Sequence, residues 1–300
     1  MADEINVNAF TGNSFEINDS GNLIFESNKY DHIYEYVSGV ARVRYKDKYG
    51  LIDDNHLPIT PMIYDYIGDF VNGFAPVKLD EKHGIINLKG REVVPVKCDY
   101  ICFFVGGLAR IKLNSKCGII DKNGNEIVPL KYDFIDDFTN DFARVRINNR
   151  YGMINRAGYE FIPVKYDYID NFEGGYAVVK SNNKTGMVDI TGREIIQPIY
   201  DSVYAFVNNH ARLRLDNCWG FSDSEGNEIV NPKYDFAYDF SGGYARVTAN
   251  FRQGFIDVYG NEVIPPKYDD AEDFRHGYAM VKLNGKWGFI DKTGKEYIDL

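Results

Sequence analysis

The chain has 300 residues, of which 44% are hydrophobic and 26% charged, the composition of a water-soluble globular protein. Its formal net charge of −10 argues against generic nucleic-acid binding, which needs a net positive face to neutralise phosphate, and leaves room only for a local basic stripe. Tyr (23) and Phe (20) far outnumber Met (5), a bias toward pleated structure and away from helix.

Residues 1–14 read as an N-terminal extension with no basic segment running into an apolar stretch, and no run of eighteen apolar residues occurs anywhere. The expectation is a soluble, cytoplasmic protein without membrane insertion. Cys98, Cys102, Cys117 and Cys218 show no paired spacing, so reduced thiols are expected.

From residue 15 to residue 300 the chain repeats itself, as one tandem array. A degenerate first unit, residues 15–49, carries Phe15 where later units carry glycine. Regular units begin at residue 50, with Gly50, Gly84, Gly118, Gly152, Gly186, Gly220, Gly254 and Gly288 spaced 34 residues apart. An alanine follows each of the first seven by 25 positions, from Ala75 to Ala279, with Ala41 in the same place of the preceding unit.

The local period is 2 rather than that of paired helices. "ARVRI" at 143–147 alternates small apolar with basic residues, which predicts a half-buried strand. Asn148-Asn149, Asn182-Asn183, Asp216-Asn217 and Asn284-Gly285 suit two-residue hairpin turns. The next joint is DxxG, as in Asp121 to Gly124, and "NEIVP" or "NEVIP" follows as a further strand that should end at its proline or lie at an edge. Then come "KYD", a Phe at Phe70, Phe104, Phe138, Phe172, Phe206, Phe240 and Phe274, and three residues later a slot holding only Gly, Asn or Asp, the mark of a left-handed turn. Each unit is thus about four short antiparallel strands in a meander. The chain ends on a partial copy, residues 286–298, expected to act as a capping hairpin.

"KWGFIDKTGKE", "IPPKYDDAEDF" and "GYAMVKLNG" resemble the WG repeat of bacterial proteins, and the likeness extends over about residues 15–300. Tryptophan survives only at Trp219 and Trp287, with Tyr49, His83, Cys117, Tyr151, Thr185 and Gln253 in its place elsewhere. The resemblance implies an all-β tandem array with no recognised catalytic activity. The surplus terminal hairpin favours an open solenoid or superhelical array of about eight units. A closed or spiral propeller-like ring is the alternative.

Residues present in every unit are read as structural. The repeated Tyr-Asp pair, such as Tyr166-Asp167, places a tyrosine and a turn-capping aspartate in each module. Three columns are candidates for binding. The first is aromatic, at Tyr66, Tyr100, Phe134, Tyr168 and Phe236, and reads either as a stacking surface or as core between units. The second is the varied position before each glycine, with Tyr49, Tyr151, Trp219 and Trp287 as its aromatics. The third is Arg110, Arg144, Arg212 and Arg246, either a carboxylate- or phosphate-reading ladder or the ion-pair partners of the repeated aspartates.

The five histidines form no catalytic set, and no phosphate-loop or zinc-protease string occurs, so neither a cofactor nor a metal is expected. The expectation is a non-catalytic scaffold for a protein, peptide or glycan partner. The alternative is a ligand sensor or enzyme using the cysteine-bearing unit at residues 84–117.

Overall fold

The computed structural model describes residues 15–17, 23–25 and 30–297; the expected extension at 1–14 and the last residue of the expected capping hairpin lie outside them. The described chain is all β, with no helix, and forms two compact units that divide between Ile135 and Asp136.

In the first unit a two-stranded hairpin, Phe15–Ile17 with Leu23–Phe25, precedes a three-stranded sheet of His32–Val37, Val40–Tyr45 and Lys48–Asp53. Two four-stranded meanders follow, beginning at Tyr66–Ile67 and at Tyr100–Ile101. The second unit opens on Phe142–Ile147, Arg150–Asn155 and Glu160–Tyr166, then holds four complete meanders starting at Tyr168, Ser202, Phe236 and Asp270. Among the described residues every strand pairing is between sequence neighbours, and no sheet closes into a barrel.

A module consists of strands of two, six, six and usually seven residues, as in Tyr168–Ile169, Tyr176–Ser181, Lys184–Asp189 and Glu194–Tyr200. The hairpin between its second and third strands turns on Asn182 and Asn183, at φ 51° and 62°, the double left-handed geometry that matches strand twist. In the DxxG joint an aspartate oxygen does the folding: Asp121 Oδ1 accepts the N–H groups of Asn123 and Asn125, both at 2.8 Å. The last strand is the edge of its sheet, so its proline costs no ladder bond, and the strand continues past it, as Glu160–Tyr166 does through Pro163.

The repeated glycine sits where the third and fourth strands crowd together. A Cβ on Gly152 would stand 2.6 Å from the Ile162 carbonyl oxygen, and the ladder shifts register on either side, between Tyr151 and Met153 and again before Ile154. No side chain fits that bulge.

Within each unit, consecutive sheets pack face to face. Met153, Ile162 and Tyr166 of one module pack on Ile169, Ala177, Val179 and Val188 of the next. Polar links repeat at the same seam. The Tyr166 hydroxyl donates to Glu194 at 2.5 Å, Tyr200 to Glu228 at 2.6 Å and Tyr234 to Glu262 at 2.6 Å. Burial and the adjoining carboxylate raise these phenols well above the ordinary tyrosine range. The aspartate of each pair ties two modules: Asp201 accepts from Lys184 at 2.6 Å behind it and from the Asp216 N–H at 2.8 Å ahead.

Candidate functional site

Two of the columns singled out in the sequence, the aromatic one and the pre-glycine one, meet at one rim of the modules. On that face a short-strand residue, a basic residue and the varied pre-glycine residue stand side by side, as in Tyr66–Lys78–His83 and Tyr168–Lys180–Thr185. The pre-glycine residue of one module then meets the short-strand aromatic of the next.

In the first unit Tyr34, Tyr49 and Tyr66 form a run with ring centroids 6.2 and 6.5 Å apart. In the second unit Tyr151 lies 6.4 Å from Tyr168, and Tyr204, Trp219, Phe236 and Tyr238 follow one another at 5.3, 5.0 and 4.8 Å. Within each unit the two columns that sequence separated therefore interleave into aromatic runs.

Burial decides which members meet solvent. Tyr66, Tyr100, Phe134, Tyr168 and Phe236 are 38–54% exposed, which places this column on the surface. Trp287 is 46% exposed beneath the Lys282 ammonium, whereas Trp219 is 8% exposed, wedged between Tyr204 and Phe236. Tyr49 and Tyr151 are half-buried, and Arg146 lies over the Tyr151 ring at 5.9 Å. Cations thus alternate with rings along these runs.

The arginine column lies one step inward, and its groups serve the seam. Arg144 reaches the Ile169 carbonyl of the next module at 3.3 Å and pairs with Asp136, eight residues back, at 2.7 Å. Arg212 reaches the Ala237 carbonyl at 3.2 Å, pairs with Asp239 at 2.6 Å and covers the Tyr204 ring at 4.7 Å. Arg246 donates to the Ala271 carbonyl and lies 3.7 Å from the centre of Tyr238. Arg110 reaches the Ile135 carbonyl at 2.6 Å and Cys102 Sγ at 3.4 Å. Each guanidinium clamps one module to the next and leans on the residue eight positions before it.

The breaks in that column carry information that sequence reading passed over. Where arginine is expected the chain has Pro76, Val178 and Met280, and a cleft opens at the first two. The cleft at Pro76 is small, about 40 Å³, because the ring packs against Gly68, where an added Cβ would come within 2.6 Å of it. The cleft at Val178 is about 730 Å³, the size of a small-ligand pocket, with Phe172, Tyr176, Met187 and Phe206 around it. The loss of arginine at Val178 was the available signal there, although a cleft of about 360 Å³ also lies beside Arg42, where the arginine is kept.

Around residues 84–117, Cys98 and Cys117 are buried and their thiols pushed up by desolvation, while Cys102 lies beside Tyr100 and Arg110. Among the described residues, no cluster of three or more His, Cys, Asp and Glu is placed to hold a metal, and no helix is long and apolar enough to cross a membrane.

The sequence matches the model of the WG containing repeat in eight stretches: 17–49, 49–82, 84–117, 118–151, 151–184, 186–217, 219–250 and 254–287. No curated protein matches it. Among solved structures it is similar to a eukaryotic initiation factor at 10% identity, covering 94% of this chain and 92% of that one, with a TM-score of 0.33. The dihydro-heme d1 dehydrogenase NirN gives 13% identity, 88% and 71% coverage and a TM-score of 0.29. The extracellular domain of a putative hybrid two component system from B. thetaiotaomicron gives 10% identity, 95% and 53% coverage and a TM-score of 0.29. At these scores none of the three likenesses bears on function.

Proposed function

The chain belongs to the WG containing repeat family, and on that footing we propose that it is a non-catalytic scaffold whose aromatic rim binds a protein, peptide or glycan partner. The observation that carries this reading is the solvent-facing column of Tyr66, Tyr100, Phe134, Tyr168 and Phe236, interrupted at Ser202, with Lys78, Lys112 and Lys180 beside its three tyrosines. Rings held by a β framework lose little freedom on binding, and modest contacts repeated along one partner add through effective concentration. The repeated Asp of the Tyr-Asp pairs, the glutamates that meet the tyrosines and the column arginines are engaged in the seams, as at Asp201, Glu194 and Arg212, which leaves the rim as the chemically varied surface.

Catalysis is disfavoured by the state of the groups that could perform it. At Tyr166 and Tyr234 burial and a neighbouring glutamate hold the phenol protonated, while Lys165 beside Glu194 and Tyr234 beside Glu262 hold those carboxyls below the usual range. A poor base next to a poor acid is a structural pair. The rival reading, a sensor or enzyme at residues 84–117, would rest on thiols, and two of the three there are buried with their ionisation suppressed.

The test is affinity capture from a lysate of the host, with the intact protein beside a folded variant carrying Tyr66→Ser, Tyr100→Ser and Tyr168→Ser. The expected result is a macromolecule retained by the first and lost by the second. Equal retention by both proteins would overturn the assignment of the rim.

A further inference from the structure

The Val178 cleft has the features of a site for an arginine side chain supplied from outside. In the preceding module Arg144 sits between the Asp136 carboxylate and the Ile169 carbonyl. One period later, the equivalents are Val178, Asp170 and Val203. The carboxylate remains at the cleft and the cation is gone.

Asp170 therefore keeps the lip of the cleft without a cationic partner among the described residues; its Oδ1 accepts the Asn171 N–H at 2.9 Å and lies 3.5 Å from the Tyr168 hydroxyl. On the opposite wall the position that holds Asp239 against Arg212 in the following module is Ala205. No lysine or arginine lines the cleft, and Glu173 adds a second carboxylate to its rim. Below that acidic lip the walls are Phe172, Tyr176, Val178, Met187 and Phe206, with the Tyr176 and Phe206 rings 4.6 Å apart. An occupant must therefore carry an apolar stem and a planar cationic head.

We infer that this cleft binds the side chain of an arginine presented by a partner polypeptide, with the guanidinium at Asp170 and the Val203 carbonyl and the methylenes against Val178 and Met187. The chain's own clamps are the precedent: Arg110, Arg144, Arg212 and Arg246 each place a guanidinium against the short-strand carbonyl of the next module. Guanidinium suits a carboxylate and a carbonyl together because its donors lie in one plane. The Pro76 cleft lacks these features, since Gly68 stands where Asp170 stands and the proline ring fills the space. This inference rests on the scaffold reading and names one chemical feature of the partner.

The probe is the pentapeptide GSRSG with blocked ends, titrated calorimetrically at low salt against the full chain, with its lysine and citrulline counterparts and N-acetyl-arginine methylamide as controls. Saturable binding of the arginine peptide is expected, weaker by about tenfold for lysine and absent for citrulline, whose head is planar but uncharged. Asp170→Asn should lower affinity by at least about tenfold, and Val178→Arg, which restores the clamp from within, should abolish binding while melting no lower than the wild type.

Absence of saturable binding to the wild type, or equal binding by Asp170→Asn, overturns the inference. Unchanged binding by a folded Val178→Arg does the same, and if that variant does not fold the Asp170→Asn comparison decides. Binding of the single amino-acid derivative without the peptide would overturn the polypeptide source. Failure here with the tyrosine-variant capture intact removes the cleft alone; failure of that capture removes the scaffold reading whatever the peptide does.

Discussion

Replacing Gly152 with alanine adds one methyl group at the tightest joint of a module. That Cβ would lie 2.6 Å from the Ile162 oxygen, 2.8 Å from the Val164 nitrogen and 2.9 Å from the Pro163 carbonyl carbon, all of them backbone. Ordinary contact begins near 3.4 Å, so the edge strand must withdraw by about 0.8 Å, the difference from the closest approach. Such a retreat stretches the pairings Tyr151 with Tyr166 and Met153 with Ile162 together. Overpacking of this kind costs about 1–3 kcal/mol, and the stiffer unfolded chain returns about 0.4–1, leaving a net loss of about 1–2 kcal/mol. The matched control is Gly174→Asn. Gly174 lies at φ 58° with nothing within 4 Å of its Cβ position, and asparagine already occupies the same place at Asn140 and Asn208, at φ 48° and 49°. That change should stay within about 0.5 kcal/mol of wild type. Urea denaturation followed by circular dichroism reads both. If Gly152→Ala unfolds at the same midpoint as Gly174→Asn, close backbone approach is not why this glycine repeats.

Three further outcomes follow from the seams. Arg144→Met should destabilise by about 1–2 kcal/mol, since the Ile169 carbonyl loses a charged donor and Asp136 its partner, and differential scanning calorimetry should show the fall. Tyr166→Phe should cost about 1 kcal/mol by the same measurement, because the ring stays buried while Glu194 keeps Lys165 but loses the hydroxyl. Thermal stability should be flat near neutrality and fall at both ends of the pH scale. Lys48, Lys82 and Lys184 depress Asp65, Asp99 and Asp201 in the folded state, so their contribution is whole above about pH 4 and is lost as pH drops through the folded values. Buried Tyr166, Tyr200, Tyr234 and Tyr268 are raised, so theirs is whole below about pH 10 and is lost on going higher. A tyrosinate absorbance titration in which every phenol of the folded protein ionises near pH 10 would contradict the second part.

The module was legible in the sequence because its turns are written in residues with few alternatives. Asn182-Asn183 and Asp216-Asn217 adopt the left-handed pairs expected of them, and Asp121 closes its joint through its own side chain. The edge placement of the proline-bearing strand was one of two options, and the structure selects it, since Glu160–Tyr166 continues beyond Pro163. Less could be read of the rim. Tyr66 and Trp219 are both aromatic on one face, yet the first is half exposed and the second wedged between rings, and that depends on which side chain the next module offers. The meaning of the arginines was also hidden, because their acceptors are backbone carbonyls 25 residues ahead, which carry no letter in the sequence.

The reach of the repeated links sets how this chain can assemble. An aspartate meets its turn 15 residues on, a lysine its aspartate 17 on, an arginine its carbonyl 25 on, a tyrosine its glutamate 28 on and a lysine its glutamate 29 on. Low sequence separation favours fast folding, and a repeat array can nucleate at any module. Synthesis proceeds at about 5–20 residues per second, so a newly made module waits only a few seconds for the segment that seals it. Each module is exposed as an unpaired sheet for that interval alone, and order can advance along the nascent chain in step with translation.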